Sequence, residues 1–254
     1  MIKLKKKFGQ HLLISSGILS EIAKRANIKE GEILLEIGPG LGHLTRELLK
    51  YPLQKLYLLE IDKEMIAFLK ENLKDERVFI LEGDATSFDF SSLKISPLKV
   101  VGNLPYNVAS LIVENIIFHY SFIPFALFMV QKEVAEKWIK GGSWLSIFIQ
   151  TFYDIKYLMT IPPRFFKPPP KVNSALLEFT QNVKVEIVNL ALYKKFLTHL
   201  FEGKRKMLRK KFPENLLAKI GIESQKRVEE LSFKEITNLF LDWLNYSDKG
   251  SFRN

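Results

Sequence analysis

The stretch LLEIGPGLGHLT, residues 34–45, decides how the chain is read. An apolar run ends in glycines at alternate positions, Gly38, Gly40 and Gly42, and a helix-like pattern begins directly after them. That is a strand turning tightly into a helix, the place in an α/β sheet where a nucleotide-type ligand comes close to the backbone. A dinucleotide fingerprint carries its last glycine one step later, and that position is His43. The G-x-G-x-G spacing suits a ligand that needs backbone contact without a pyrophosphate seated on the helix, and S-adenosylmethionine is such a ligand. A tight turn with no ligand is the plainer alternative.

Outward from this loop, short apolar runs recur: EILLEIG, LYLLEID, VFILEGD, KVVGNL, FALFMVQ, LSIFIQTF and SALLEF. Most are apolar at consecutive positions, as strands covered on both faces are. Between them, LGHLTRELLK, KEMIAFLKENLK and NVASLIVENIIF space their apolar residues three and four apart, as helices packed on a sheet do. The pattern predicts an α/β fold with a Rossmann-like, doubly wound sheet of about seven strands. After Phe179 the texture changes, and from Asn189 onward it is helical. A catalytic domain over 1–184 and a small all-helical domain over 185–254 are expected. The first long helix of the second domain is expected to carry EGKRKMLRKKF, with Lys204, Arg205, Lys206, Arg209, Lys210 and Lys211 crowded together.

The 254 residues hold 38 Lys and Arg against 28 Asp and Glu, a formal net charge of +10. A polyanionic partner fits that balance, although excess charge also serves solubility. The absence of cysteine excludes disulfides, thiolate metal ligands and cysteine nucleophiles, and fits a reducing cytoplasm. Four scattered histidines predict no metal site. The opening MIKLKKKFGQHLL is basic without a long apolar run, so neither a signal peptide nor a membrane span is expected.

Later strand ends agree with the glycine loop. Glu60 closes LYLLEID about twenty residues on, where a carboxylate can accept ribose hydroxyls, and Asp84 closes VFILEGD, where it can hold an adenine amine. A solvated strand end and a turn cap are their plainer roles. KVVGNL then delivers Asn103, Leu104, Pro105 and Tyr106. Pro105 forces Leu104 into an extended conformation and so aims the Leu104 carbonyl. With the Asn103 side-chain oxygen, it offers two acceptors for the hydrogens of a primary amine, while Tyr106 offers a face for stacking. An aromatic amine is a poor nucleophile, and acceptors that favour its pyramidal form stabilise the transition state over the ground state. No catalytic Cys or His is needed, because the alkylated amine releases its proton to water.

FGQHLL, LEIGPGLG, LLEID, GDA, NLPYN, MVQKEVAEK and RFFKPPPKVNSALLEF, in this order, resemble the ribosomal RNA adenine N6-dimethyltransferases across essentially the whole chain. The resemblance implies methyl transfer from S-adenosylmethionine to N6 of two adjacent adenosines near the 3′ end of small-subunit (16S) rRNA, giving N6,N6-dimethyladenosine during ribosome biogenesis. It implies cofactor contacts from His11, Leu13, Gly38, Gly40, Glu60, Asp84 and Asn103, and Phe166 opposite Tyr106 around the target adenine. The family usually has asparagine where this chain has His11. An RNA substrate also gives the basic residues a role, with Lys5, Lys6, Lys7, Lys204, Arg205, Arg209 and Lys210 holding the backbone. The expected partner is small-subunit rRNA or a pre-30S particle, met by a cytoplasmic monomer without a membrane.

A macrolide-resistance methylase of large-subunit rRNA shares this chemistry, but FGQHLL, NLPYN and FKPPPKVNS favour the small-subunit enzyme. A DNA amine methylase usually carries an acid where Asn103 stands. A non-catalytic assembly or transcription factor on the same fold has no need of an intact NLPY and glycine loop.

Overall fold

The computed structural model describes residues His11 to Tyr246. Its strands are β1 Leu12–Leu13, β2 Ile33–Ile37, β3 Lys55–Glu60, β4 Val78–Glu82, β5 Lys99–Asn103, β6 Phe125–Gln131, β7 Tyr153–Ile161, β8 Phe166–Lys167 and β9 Ser174–Gln181. Its helices are α1 Ser16–Arg25, α2 His43–Leu48, α3 Lys63–Asn72, α4 Ala109–Phe118, α5 Lys132–Lys140, α6 Trp144–Phe152, α7 Leu190–Phe201, α8 Glu214–Lys219 and α9 Phe233–Tyr246. Among the described residues, seven strands form one sheet in the order β4-β3-β2-β5-β6-β9-β7, and β1 pairs with β8 in a separate two-stranded sheet. The strands from β2 to β6 run parallel, and β9 joins antiparallel to both β6 and β7.

The consecutive apolar residues explain this arrangement. Leu34, Leu35, Leu58, Leu59, Val100, Val101, Leu127 and Phe128 are all buried, so both faces of the central strands are covered, as the expected doubly wound sheet requires. From β2 the chain steps outward to β3 and β4 and then returns to β5 on the other side of β2. The order therefore reverses between β2 and β5, which is where ligands bind in open α/β sheets. Gly102 sits at that seam opposite Ile37. A Cβ there would lie 2.8 Å from the Ile37 carbonyl oxygen, so only glycine permits the approach.

One expected strand is corrected. LSIFIQTF forms the body of α6, and the seventh strand of the sheet is β7, with the sequence YDIKYLMTI. Leu145, Ser146, Ile147, Phe148, Ile149, Thr151 and Phe152 are all buried, so α6 lacks the polar face that gives a helix its period. β7 lies at the sheet edge, where exposed Asp154, Lys156 and Thr160 dilute its apolar pattern.

The chain divides into two compact units, one holding residues up to Ile139 together with Phe152–Asn182, the other Lys140–Thr151 and Val183 onward. Sequence alone draws one boundary at 184/185; the structure divides at 182/183 and assigns most of α6 to the second unit. That unit has an aromatic core, with Tyr193 and Phe240 rings 4.6 Å apart, Phe196 and Phe240 5.2 Å apart, and Phe148 5.9 Å from Tyr193. Asn189 caps α7 by accepting from the Leu192 N–H at 2.9 Å.

Candidate active site

The carboxyl ends of β2, β3, β4 and β5 open onto one cleft of about 290 Å³. It is lined by Gly38 and Gly40 from the loop after β2, Glu60 and Ile61 after β3, Gly83 and Asp84 after β4, and Asn103 to Val108 after β5. Its size is at the lower end of the range for small-molecule sites.

Glu60 ends β3 with only 5% of its surface exposed. Its Oε1 accepts from the backbone N–H groups of Ile61 and Asp62, both at 2.9 Å, whereas Oε2, among the described residues, accepts only from Gly40 at 3.3 Å. Oε2 is therefore the oxygen with capacity left for a hydroxyl donor. Burial pushes the Glu60 carboxyl above its ordinary range, against the pull of those three donors. Asp84 takes the plainer of its two expected roles, the turn cap, at the edge of the cleft. Its Oδ1 accepts from the Thr86 N–H at 2.8 Å and the Thr86 hydroxyl at 2.7 Å, closing the turn, while the residue still lines the cleft. Gly40 has a φ of +55°, and a Cβ on it would sit 2.8 Å from the Leu12 side chain.

Asn103 is oriented from a distance. Its Nδ2 donates to the His11 carbonyl at 2.8 Å. A carbonyl can only accept, so the amide nitrogen must face His11 and Oδ1 is turned the other way. The Leu104 N–H is taken by the Met129 carbonyl at 3.0 Å, which fixes the strand end, and no described hydrogen bond uses the Leu104 carbonyl. Among the described residues, Asn103 Oδ1 and Leu104 O are thus without a hydrogen-bond partner, and both residues line the cleft. Tyr106 is held at its hydroxyl by the buried Ser174, Oγ to Oη 2.6 Å, and its ring stacks on His11 with centroids 5.4 Å apart. Burial pushes the phenol up from its ordinary pKa, so Tyr106 stays neutral.

Several expected residues sit elsewhere. Phe166, expected across from Tyr106, is 3% exposed, pairs with Leu13 through β8 and β1, and belongs to the apolar core rather than the cleft lining. The ring over Tyr106 is that of His11, which lines the cleft and whose Nδ1 donates to the Pro168 carbonyl, 2.9 Å away. Since a carbonyl cannot donate, that nitrogen carries the proton. Leu13 is likewise buried outside the main cleft; Leu12 lines it instead, and the Leu13 carbonyl accepts from His43 Nδ1 at 3.0 Å. Lys5, Lys6 and Lys7 lie outside the described residues.

The basic run is also corrected. α7 ends at Phe201, and Gly203 has a φ of +63°, so Lys204 and Arg205 stand on a turn and Lys206 on the bend after it, with Arg209 and Lys210 in a short 3₁₀ turn. The backbone of this loop is braced by Leu208 N–H to Lys226 O at 2.8 Å and Arg209 N–H to Ser224 O at 2.9 Å, while these five cationic side chains are exposed. Lys204 reaches the Gly142 carbonyl at 3.5 Å, and Lys211, half-buried unlike the other five, donates to the carbonyls of His199 and Glu202.

Sequence reasoning passed over Glu36, Ile61 and Ser174. Ile61 follows the buried acid with 44% of its surface exposed and lines the cleft, an apolar face for a flat ring. Glu36 is 2% exposed and accepts from the Thr45 hydroxyl at 2.6 Å. Burial, assisted by repulsion from Glu60, pushes its pKa up to about 7. The protonated form is thus the one that folding favours, and its contribution is complete below the ordinary carboxylate pKa and lost as pH rises through 7. Between pH 5 and 8 the unfolding free energy is expected to fall by on the order of 3 kcal/mol through this group. Thermal melts of Glu36→Gln, which keeps an acceptor for Thr45 without the charge, should lose that part of the pH dependence.

The cleft's donors and acceptors fit S-adenosylmethionine. The Glu60 Oε2 suits a ribose hydroxyl, Ile61 an adenine face and Asp84 an adenine amine. Among the described residues no group of His, Cys, Asp or Glu could hold a metal ion, and no helix is long and apolar enough to cross a membrane.

Comparison with known proteins points the same way. A family model described as ribosomal RNA adenine dimethylase matches residues 1–245. A ribosomal RNA small subunit methyltransferase A from Persephonella marina is 42% identical, covering 98% of this chain and 97% of the relative. One of the same description from a Sulfurihydrogenibium species is 43% identical over 94% of this chain and 96% of the relative. Among solved structures, a dimethyladenosine transferase from Plasmodium falciparum superposes with a TM-score of 0.81 at 26% identity, covering 93% of this chain and 98% of that one.

Proposed function

This chain belongs to the ribosomal RNA adenine dimethylase family, and from that premise we propose that it transfers methyl groups from S-adenosylmethionine to N6 of two adjacent adenosines near the 3′ end of small-subunit rRNA. When bound, the cofactor supplies a methyl group already activated on a sulfonium. The protein's part is to align the acceptor. In the first transfer Asn103 Oδ1 and Leu104 O accept the two N6 hydrogens, in the second one of them accepts the single hydrogen left, and each time they favour the pyramidal nitrogen, whose lone pair is free to attack. Tyr106 holds the base by its face, and the product ammonium gives its proton to water. The single observation that carries this assignment is the Asn103 amide, turned by the His11 carbonyl so that its oxygen is left uncommitted beside the cleft.

Glu60, Ile61 and Asp84 hold the cofactor in this scheme, and the first compact unit carries the chemistry. The second unit supplies positive charge for the RNA backbone through Lys204, Arg205, Arg209 and Lys210, all exposed on a braced loop. The enzyme acts as a monomer on the pre-30S particle in the cytoplasm, where a chain of net charge +10 without cysteine is at home. The target adenine must leave any stack to reach the cleft, so unpaired or loop adenosines are the less costly substrates.

Nucleoside mass spectrometry tests the function. Unmodified small subunits incubated with enzyme and S-adenosylmethionine should yield N6,N6-dimethyladenosine, and large subunits none; the reverse pattern would refute the small-subunit assignment. For the loop, replacing both Arg205 and Arg209 by Glu should weaken RNA binding about tenfold at low salt. It should also make the slope of log affinity against log salt shallower by about 1.5, the share of two phosphate contacts. Filter-binding titrations across salt concentrations read both quantities.

A further inference from the structure

Resting on the stacking role given to Tyr106 above, we propose that the His11 ring, which lines the cleft beside Tyr106, is a positioning residue for the methyl-accepting base rather than a contact to the cofactor. A tyrosine used as a stacking platform has to be held in one orientation before the base arrives, or ordering it weakens binding. Tyr106 is held at two points. Its hydroxyl is fixed to Ser174 at 2.6 Å, and one face of its ring is covered by His11 at a centroid distance of 5.4 Å and an interplanar angle of 27°. A stacked base needs about 3.5 Å on each side, so 5.4 Å between the two rings leaves no room for a base between them. The base therefore takes the opposite face of Tyr106, and His11 backs the platform.

His11 can do this because it is itself pinned. Its Nδ1–H donates to the Pro168 carbonyl at 2.9 Å, and its own carbonyl receives the Asn103 amide at 2.8 Å. One residue thus joins the segment before β1, the NLPY turn and the loop after β8. The core position of Phe166 removes the other aromatic candidate for a wall at Tyr106. The two functions of His11 are separable by substitution. The carbonyl that orients Asn103 survives any side-chain change, whereas the ring that backs Tyr106 does not.

The test compares His11→Ala, His11→Phe, Tyr106→Ala and the double variant His11→Ala/Tyr106→Ala in the full chain. It follows methylation of unmodified small subunits alongside calorimetric titration of S-adenosylmethionine. His11→Ala should raise the KM for the RNA substrate about fivefold, the factor an aromatic pair supplies, with cofactor Kd and kcat within twofold of the parent. His11→Phe restores a ring without the Pro168 hydrogen bond and should recover most of that loss. In the Tyr106→Ala background, removing His11 should add nothing. A cofactor Kd that rises as much as the RNA KM would overturn the proposal, as would an undiminished effect of His11→Ala in the absence of Tyr106. Because the parent enzyme's dimethyladenosine yield is read in the same assay, failure of the general function would appear there first and separately.

Discussion

Asn103→Ala is expected to lower the single-turnover rate of methyl transfer by about 10³-fold while leaving the affinities for S-adenosylmethionine and RNA nearly unchanged. Preorganised polar groups aimed at developing charge typically contribute a factor of about 10²–10³ each. Here the group is an acceptor that favours the nitrogen geometry needed only in the transition state, so its removal falls on kcat. The Leu104 carbonyl remains in the variant, held by the bond of Leu104's own N–H to Met129 and by Pro105, and accounts for residual activity. Asn103→Asp is the informative companion. It keeps an oxygen toward the cleft but sets a second oxygen against the His11 carbonyl where Nδ2 now donates at 2.8 Å. Two acceptors repel, so the side chain should turn and Asp should recover little of the lost rate. Rapid-quench measurements on both variants, with cofactor titrations as controls, decide the matter. Wild-type turnover in Asn103→Ala would remove the role assigned to NLPY.

Why these residues were legible in the sequence, and others were not, follows from how far each contact reaches along the chain. Gly38, Gly40, Glu60, Asp84 and Asn103 stand at strand ends, and strand ends announce themselves because a consecutive apolar run stops there. Whatever depends on pairing between distant segments is silent. Phe166 lies on β8, whose register with β1 puts its ring in the core; a slip of one residue would have sent it to the other face. The His11 hydrogen bonds reach Asn103 and Pro168, across 92 and 157 residues, and no local pattern encodes them. α6 hides for a different reason, since burial on nearly every side erases the period by which a helix is recognised. For the basic run the signal was present in Gly203, the residue at which a left-handed backbone stops α7, but the density of charge on either side of it reads as one helical face. Ile61 and Glu36 were visible as letters and opaque as environments. Only the fold leaves the first exposed in the cleft and the second without water.

Glu60→Ala should raise the Kd for S-adenosylmethionine by about 10²-fold, with RNA affinity unaffected. A hydrogen bond to an ionised group contributes about 1.5–3 kcal/mol, and a ribose hydroxyl loses its charged acceptor in this variant. The loss should exceed that single bond, because Gly40, Ile61 and Asp62 direct their N–H groups at the same carboxylate, and without it the loops that shape the cleft have nothing to converge on. Glu60→Gln separates the two contributions. Its amide oxygen can still serve Ile61 and Asp62, but its nitrogen then faces the Gly40 N–H, donor against donor, so the glycine loop should shift while the β3 end stays in place. Acidity supplies the sharper test. Burial pushes the Glu60 pKa above the ordinary carboxylate range, and the ionised form is the one that accepts the hydroxyl. Cofactor affinity should therefore be full above that raised pKa and fall as pH drops through it. Glu60→Gln, with no proton to gain, should bind weakly at every pH and show no such decline. Calorimetric titrations of the parent and Glu60→Gln from pH 8 down to the ordinary carboxylate range measure this directly, and equal pH profiles in the two proteins would show that the carboxylate does not hold the cofactor.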